Sequence, residues 1–231
     1  MAVPPPVAPQ PVIAQTVCPP PDALEPLAQA LTRAMAAIHA RGWCDGTGGN
    51  FSCVLSREPL RLLMAPSGVD KGAVDPESLL VVDGEGAVLR GSGAASAETL
   101  LHLAIVETTG AGAVLHTHSQ AGTLLSQHYG PSDGSAGWLQ LRDLEMLKGL
   151  AGVNTHATEV RIPVLANDQN LTRLSALARP WLGAAPHGLL IAGHGLYAWG
   201  RELVEARRHL DILEFLLEQH WRQLLLRALQ R

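Results

Sequence analysis

From Pro180 to Trp199 the chain carries no Asp, Glu, Lys or Arg, so the stretch belongs inside a membrane or inside a protein core. Its punctuation decides between the two. Gly183, Pro186, Gly188, Gly193 and Gly195 interrupt it, with His187 and His194 among them, and a spanning helix of about 20 residues is not broken that often. The stretch therefore reads as the interior of a soluble protein, with a strand over Leu189–Ala192. At 231 residues, 47% of them apolar and 16% charged, the chain can bury one sizeable core or two small ones, and disorder throughout is excluded.

Charge removes other classes. Seventeen basic residues stand against 21 acidic ones, a formal charge of −4, and the basic residues form no cluster longer than Arg207-Arg208. A nucleic-acid partner, which calls for a basic stripe, is not expected, and neither is a membrane. The first Lys or Arg is Arg33, so the start lacks the basic and apolar regions of a secretory signal and a cytoplasmic location is expected. Cys18, Cys44 and Cys53 are odd in number and form no CxxC pair, which points to reduced thiols.

Nine of the 16 prolines fall within residues 1–26, and residues 1–21 show neither helical nor strand periodicity, so they read as a Pro-rich disordered tail ahead of one catalytic domain over 22–231. Asp22 and Glu25 resemble a capping box, after which Leu27, Ala30, Leu31, Ala34, Met35 and Ile38 recur at helical spacing up to Gly42. Strands are expected over Asn50–Leu55, Leu60–Ala65, Leu79–Asp83 and Gly86–Arg90, paired as antiparallel hairpins. Ser96 is expected to cap a helix ending at Thr109, before a strand over Ala113–His118 and a helix near Gln120–Gln127. Gly130–Gly137 reads as a loop, Leu141–Leu150 as a short helix, Val160–Leu165 as a strand, Gln169–Leu182 as a helix, and Arg201 to about Ala228 as a long amphipathic helix. Strands and helices alternate without a strict βαβ repeat and without GxGxxG, so a single three-layer α/β/α domain is the economical architecture.

The chemistry begins at Val114-Leu115-His116-Thr117-His118. Side chains on a strand alternate, so His116 and His118 leave from one face and can share an ion through their imidazoles. His194 sits between Gly193 and Gly195, where lack of side-chain bulk lets backbone approach a ligand closely. Three imidazoles would leave an open coordination position, the pattern of a catalytic zinc ion. His102, four residues after Glu98, reads instead as a helix-surface partner, and the remaining histidines lack ligand spacing. Three turns could cradle a phosphate: Gly46-Thr47-Gly48-Gly49-Asn50, Pro66-Ser67-Gly68, and the helix start at Ser96. Lys71, four after Ser67, could add charge but reads better as a solvated surface residue. Glu98, near a helix start, and Glu145, three before Lys148, are the carboxylates of interest, and physical reasoning alone does not choose between them.

Taken in order, Thr47-Gly48-Gly49-Asn50-Phe51-Ser52, Pro66-Ser67-Gly68, Ser96-Ala97-Glu98, His116-Thr117-His118 and His194 resemble the class II aldolase/adducin family over roughly residues 24 to 220. The resemblance implies a class II aldolase-like fold with a central, mostly antiparallel sheet. It implies one zinc ion per subunit on His116, His118 and His194, and a homotetramer with sites between subunits. It further implies a small-molecule sugar-phosphate substrate held against Thr47, Gly48, Asn50, Ser67, Gly68 and Ser96, with Glu98 beside it. Leu144-Glu145-Met146-Leu147-Lys148-Gly149 and Gly193–Gly200 are similar to a branch that removes water from a phosphorylated methylthio-ketopentose, which makes Glu145 the general acid/base. A class II sugar-phosphate aldolase or 4-epimerase acting through Glu98, or a non-catalytic adducin-like module, is the alternative.

Overall fold

A computed structural model describes residues 24–131 and 136–230, so the Pro-rich tail, the cap at Asp22, Cys18 and the centre of the Gly130–Gly137 loop lie outside the described residues. In chain order the elements are α1 (Leu24–His39), β1 (Asn50–Arg57), β2 (Leu60–Met64), β3 (Leu80–Asp83), β4 (Val88–Arg90), α2 (Thr99–Thr109) and β5 (Ala113–Thr117). There follow α3 (Gln120–Tyr129), β6 (Ala136–Arg142), β7 (Glu159–Leu165), α4 (Leu171–Leu182), β8 (Gly188–Ile191), β9 (Gly195–Gly200) and α5 (Leu203–Leu229), with a 3-10 turn over Glu145–Gly149. The nine strands form one sheet in the order β4-β3-β2-β1-β5-β9-β8-β7-β6. Every pairing is antiparallel except β7 with β8.

Alternation along the strands divides the core in two. Ala113, Leu115, Leu196 and Ala198 point into a layer shared with α1, α3 and α5, whereas Val114, Tyr197 and Trp199 point into a layer shared with α2 and α4. The result is the expected three-layer α/β/α arrangement with a mostly antiparallel sheet. Within the charge-free stretch, β8 and β9 are buried at every position and close a hairpin, the run from Gly195 being a strand of its own.

Two expectations change. Leu141–Leu150 is not a helix: β6 runs through Arg142, Asp143 turns with a φ of 55°, and a 3-10 turn takes Glu145–Gly149. Leu139 and Leu141 are buried on alternate positions opposite β7, so strand pairing overrides the helix propensity of the Leu-, Glu- and Met-rich segment. Helix α2 starts later than Ser96, with Glu98 at its N-cap. Ser96 instead accepts a hydrogen bond at Oγ from the Glu98 amide and at its carbonyl from the Thr99 amide.

Helix α5 does more than cover the sheet. Its Glu214 is 2% exposed, and Oε1 accepts a hydrogen bond from the Thr117 hydroxyl, which leaves β5 on the side opposite to His116. Burial pushes this carboxyl up to about 7, against the opposing pull of the Ser119 and Thr117 hydroxyls. Because the folded value lies above the unfolded 4.5, the folded state holds the proton more tightly; this stabilisation is complete below 4.5 and is lost as pH rises through about 7. Glu214→Gln keeps the acceptor and cannot ionise. Its stability relative to the native chain should therefore rise between about pH 4.5 and 7 and then level off, by roughly 3 kcal/mol. Urea unfolding at acidic and mildly alkaline pH checks this, and a pH-independent difference would refute it.

Candidate active site

Strand β5 carries the first two imidazoles. His116 faces Asn50 of β1 on one side and Tyr197 of β9 on the other, and its ring stacks on the Tyr197 ring with centroids 3.9 Å apart. His118 follows the strand, its amide donating to the Trp43 carbonyl at 2.7 Å. His194 occupies the turn of the β8–β9 hairpin, where Gly193 takes a φ of 65° and the His194 amide closes on the Ile191 carbonyl at 3.0 Å. A hairpin turn at the end of two buried strands thus delivers the third ring to the first two.

The three Nε2 atoms lie 2.8, 3.1 and 3.3 Å from one another. His116 Nδ1 sits 3.0 Å from the Leu196 carbonyl, so that nitrogen keeps the ring proton and Nε2 presents a lone pair. Burial, more than any neighbouring charge, holds His116 well below its ordinary range, and burial likewise lowers His118. Three Nε2 atoms this close, with the His116 lone pair among them, form a point at which one cation can be held. Nitrogens on a tetrahedron of about 2.1 Å radius stand roughly 3.4 Å apart, so the trio fits a divalent ion with slight opening.

Glu98 completes the group. The N-cap of α2 places its carboxylate with Oε1 2.9 Å from His194 Nε2 and 3.8 Å from His116 Nε2, while Asn50 Nδ2 donates to Oε2. Burial alone would raise this carboxyl, yet the hydrogen bond with His194 and the charges of His116 and His194 bring it down to about 2. One ligand atom from each of Glu98, His116, His118 and His194 lies within 4.8 Å of the others, a group able to hold a divalent metal. Glycine makes the room: a Cβ on Gly48 would come 2.9 Å from His118 Nδ1, and one on Gly195 would meet the Thr117 carbonyl oxygen at 2.0 Å.

Above the group opens a cleft of about 350 Å³. All three expected turns reach it, contributing Thr47, Gly48 and Asn50, Ser67 and Gly68, and Ser96, with Glu98, His118 and His194 at its base. Asn167, Asp168, Gln169, Leu171 and Leu174 form a further wall that nothing in the local sequence announced. Glu145 is not brought there. It stands on the 3-10 turn with its side chain 71% exposed, bonded to Lys148 and 3.7 Å from His156 Nδ1.

Two readings of single residues are corrected. Lys71 is not solvated: it is 1% exposed and lines the cleft, its Nζ drawn in by the Thr47 and Val69 carbonyls. His102 is not on a helix surface. Helix α2 is buried around most of its circumference, and His102, fully buried, sets Nδ1 2.8 Å from the Ser52 hydroxyl, with burial lowering it to about 4.

Comparison with known proteins follows the same lines. The family model described as Class II Aldolase and Adducin N-terminal domain matches residues 29–221. Methylthioribulose-1-phosphate dehydratase of Pseudomonas fluorescens is 41% identical over 84% of this chain and 91% of its own length. That of Methylococcus capsulatus is 42% identical over 84% of this chain and 92% of its own. Among solved structures, l-fuculose-1-phosphate aldolase from Thermus thermophilus is 26% identical, covering 88% of this chain and 98% of that one with a TM-score of 0.68.

His116→Ala should abolish stoichiometric metal, and Gly48→Ala should weaken metal retention by crowding His118 while leaving the fold intact. Elemental analysis of dialysed protein reads both; full metal content in His116→Ala would remove that residue from the ligand set.

Proposed function

The chain belongs to the class II aldolase and adducin family, and from that premise we propose that it dehydrates 5-methylthioribulose 1-phosphate to 2,3-diketo-5-methylthiopentyl 1-phosphate, a step of methionine salvage. The observation that carries the reading is identity of about 40% to named dehydratases across most of the chain, together with the three-imidazole group that such chemistry needs. The proposed ion is zinc, one per subunit, held by His116, His118 and His194; when bound it supplies a Lewis acid that draws electron density from the sugar ketone.

The residues of the chain do the rest. Thr47, Gly48, Asn50, Ser67, Gly68 and Ser96 orient the phosphate, remote from the reacting carbons, and such positioning contributes several kcal/mol. Asn50 holds Glu98 Oε2, which keeps Oε1 turned toward the imidazoles and the acid ionised. Glu145 takes the C3 proton and returns a proton to the departing C4 hydroxyl, a role worth roughly 10²- to 10⁴-fold. Water leaves, and the enol rearranges to the diketone with all five carbons still joined. Glu145 reaches the cleft from a neighbouring copy in a cytoplasmic homotetramer, in this proposal, since within its own chain it faces solvent.

One observation favours a second reading. Glu98, not Glu145, touches the imidazoles within one chain, as a retro-aldol or epimerising acid/base would. Incubation with 5-methylthioribulose 1-phosphate and mass spectrometry of the product separates the two. Dehydration gives a phosphate-bearing diketone 18 mass units lighter, the mass of water, whereas aldol cleavage gives dihydroxyacetone phosphate and an aldehyde. Glu145→Gln should keep its metal and lose about 10²-fold or more in turnover; wild-type turnover in that variant would dismiss the role.

A further inference from the structure

Lys71 is a buried cation without a buried anion. Its Nζ donates to the Thr47 carbonyl at 3.2 Å and to the Val69 carbonyl at 3.0 Å, and among the described residues no carboxylate pairs with it. An ammonium has three donors, so one N–H remains, and the side chain lines the cleft. Removing a charge from water without a partner is expensive, and two neutral carbonyls do not neutralise it. Burial accordingly lowers its pKa, with Cys44, Asp70 and Glu98 pulling the other way.

The rest of the wall sharpens the point. Of the residues lining the cleft, Lys71 is the one Lys or Arg; Glu98 is committed to the imidazoles and Asn50, and Asp168 is paired with Arg173 at 2.8 Å. The same cleft is lined by Ser67, Gly68 and Ser96, neutral donors of the kind that surround a phosphoryl group. Hydroxyls and amides can shape a phosphate site, and a cation among them strengthens the hold on a dianion through charge-assisted hydrogen bonds.

We propose that Lys71 is the counter-ion of the substrate's phosphate and sets the preference of the cleft for phosphorylated over free sugars. This rests on reading the cleft as a sugar-phosphate site. By bonding the Thr47 carbonyl, Lys71 also joins the Thr47 and Ser67 loops, so the same ammonium that meets the anion aligns the two turns around it.

The test compares full-length, zinc-loaded wild type with Lys71→Met, Lys71→Gln and Lys71→Arg. Calorimetric binding of inorganic phosphate is the first readout. The second is the ratio of kcat/KM for 5-methylthioribulose 1-phosphate to that for unphosphorylated methylthioribulose. The neutral variants should lose about 100-fold in phosphate affinity, with the kcat/KM ratio falling by a similar factor, and Lys71→Arg should recover most of both. A merely structural lysine would depress both sugars together and leave the ratio unmoved. Phosphate affinity within threefold of wild type in either folded neutral variant, or an unchanged ratio, overturns the assignment; Lys71→Gln, which can still donate to the carbonyls, carries the reading should Lys71→Met fail to fold. If wild type turns over neither sugar, the dehydratase reading fails, and the phosphate titration still decides the role of Lys71.

Discussion

Three imidazole lone pairs aimed at one point, with a carboxylate beside them, is the constraint around which this fold is arranged. With His116 Nδ1 committed to the Leu196 carbonyl, the Nε2 lone pair of His116 is turned toward the Nε2 atoms of His118 and His194, where one cation can engage all three. Strand geometry makes the arrangement hold. β5 lies at the middle of the sheet, paired on both sides, which fixes the backbone of His116, while stacking on Tyr197 and the Nδ1 bond to the Leu196 carbonyl hold its ring. The intervening Thr117 points the other way, into the layer of α5, where Glu214 takes its hydroxyl. One residue of alternation therefore separates a polar metal group on one face from a neutralised carboxyl on the other.

The electrostatics of the two faces are opposite in kind. Glu98 is buried among imidazoles and stays ionised because they and Asn50 stabilise the anion, whereas Glu214 is buried among hydroxyls and apolar helix and is driven toward its neutral form. Burial pushes both carboxyls up, more completely for Glu214, and only Glu98 has imidazoles beside it to offset the push. The α2 N-terminus reinforces the difference, since Glu98 sits where helix amides favour negative charge.

Much of the site was legible in the sequence, for reasons that are local. Period two places His116 and His118 together, flanking glycines mark His194 as a close approach, and the three polar turns carry their own chemistry in Thr47, Ser67 and Ser96. What was not legible depends on tertiary closure. Asp70-Lys71-Gly72 has the composition of a solvated turn, and the burial of its cation, with a bond to the distant Thr47 carbonyl, is set by tertiary structure. His102 lies four residues from Glu98, as a surface pair would, but α2 has almost no surface. β6 was masked by helix-forming residues that edge pairing with β7 overrides, and β9 by glycines that mark close approach, as Gly195 does against Thr117.

Position on the sheet also bears on Glu145. His116 and Tyr197 leave toward α2 and α4, while Leu147, from the same turn as Glu145, is buried in the opposite layer with α5. The turn follows β6, the last strand of the sheet, whose outer edge has no partner within the described residues. A carboxylate carried on that turn, off the cleft and paired with Lys148, has no structural duty that burial or packing explains. An exposed sheet edge with an adjacent charged turn is, however, the geometry that another copy of the chain can meet. Within one chain, then, the cleft gathers the imidazoles with Glu98, while Glu145 stands outside it on a turn at the edge of the sheet.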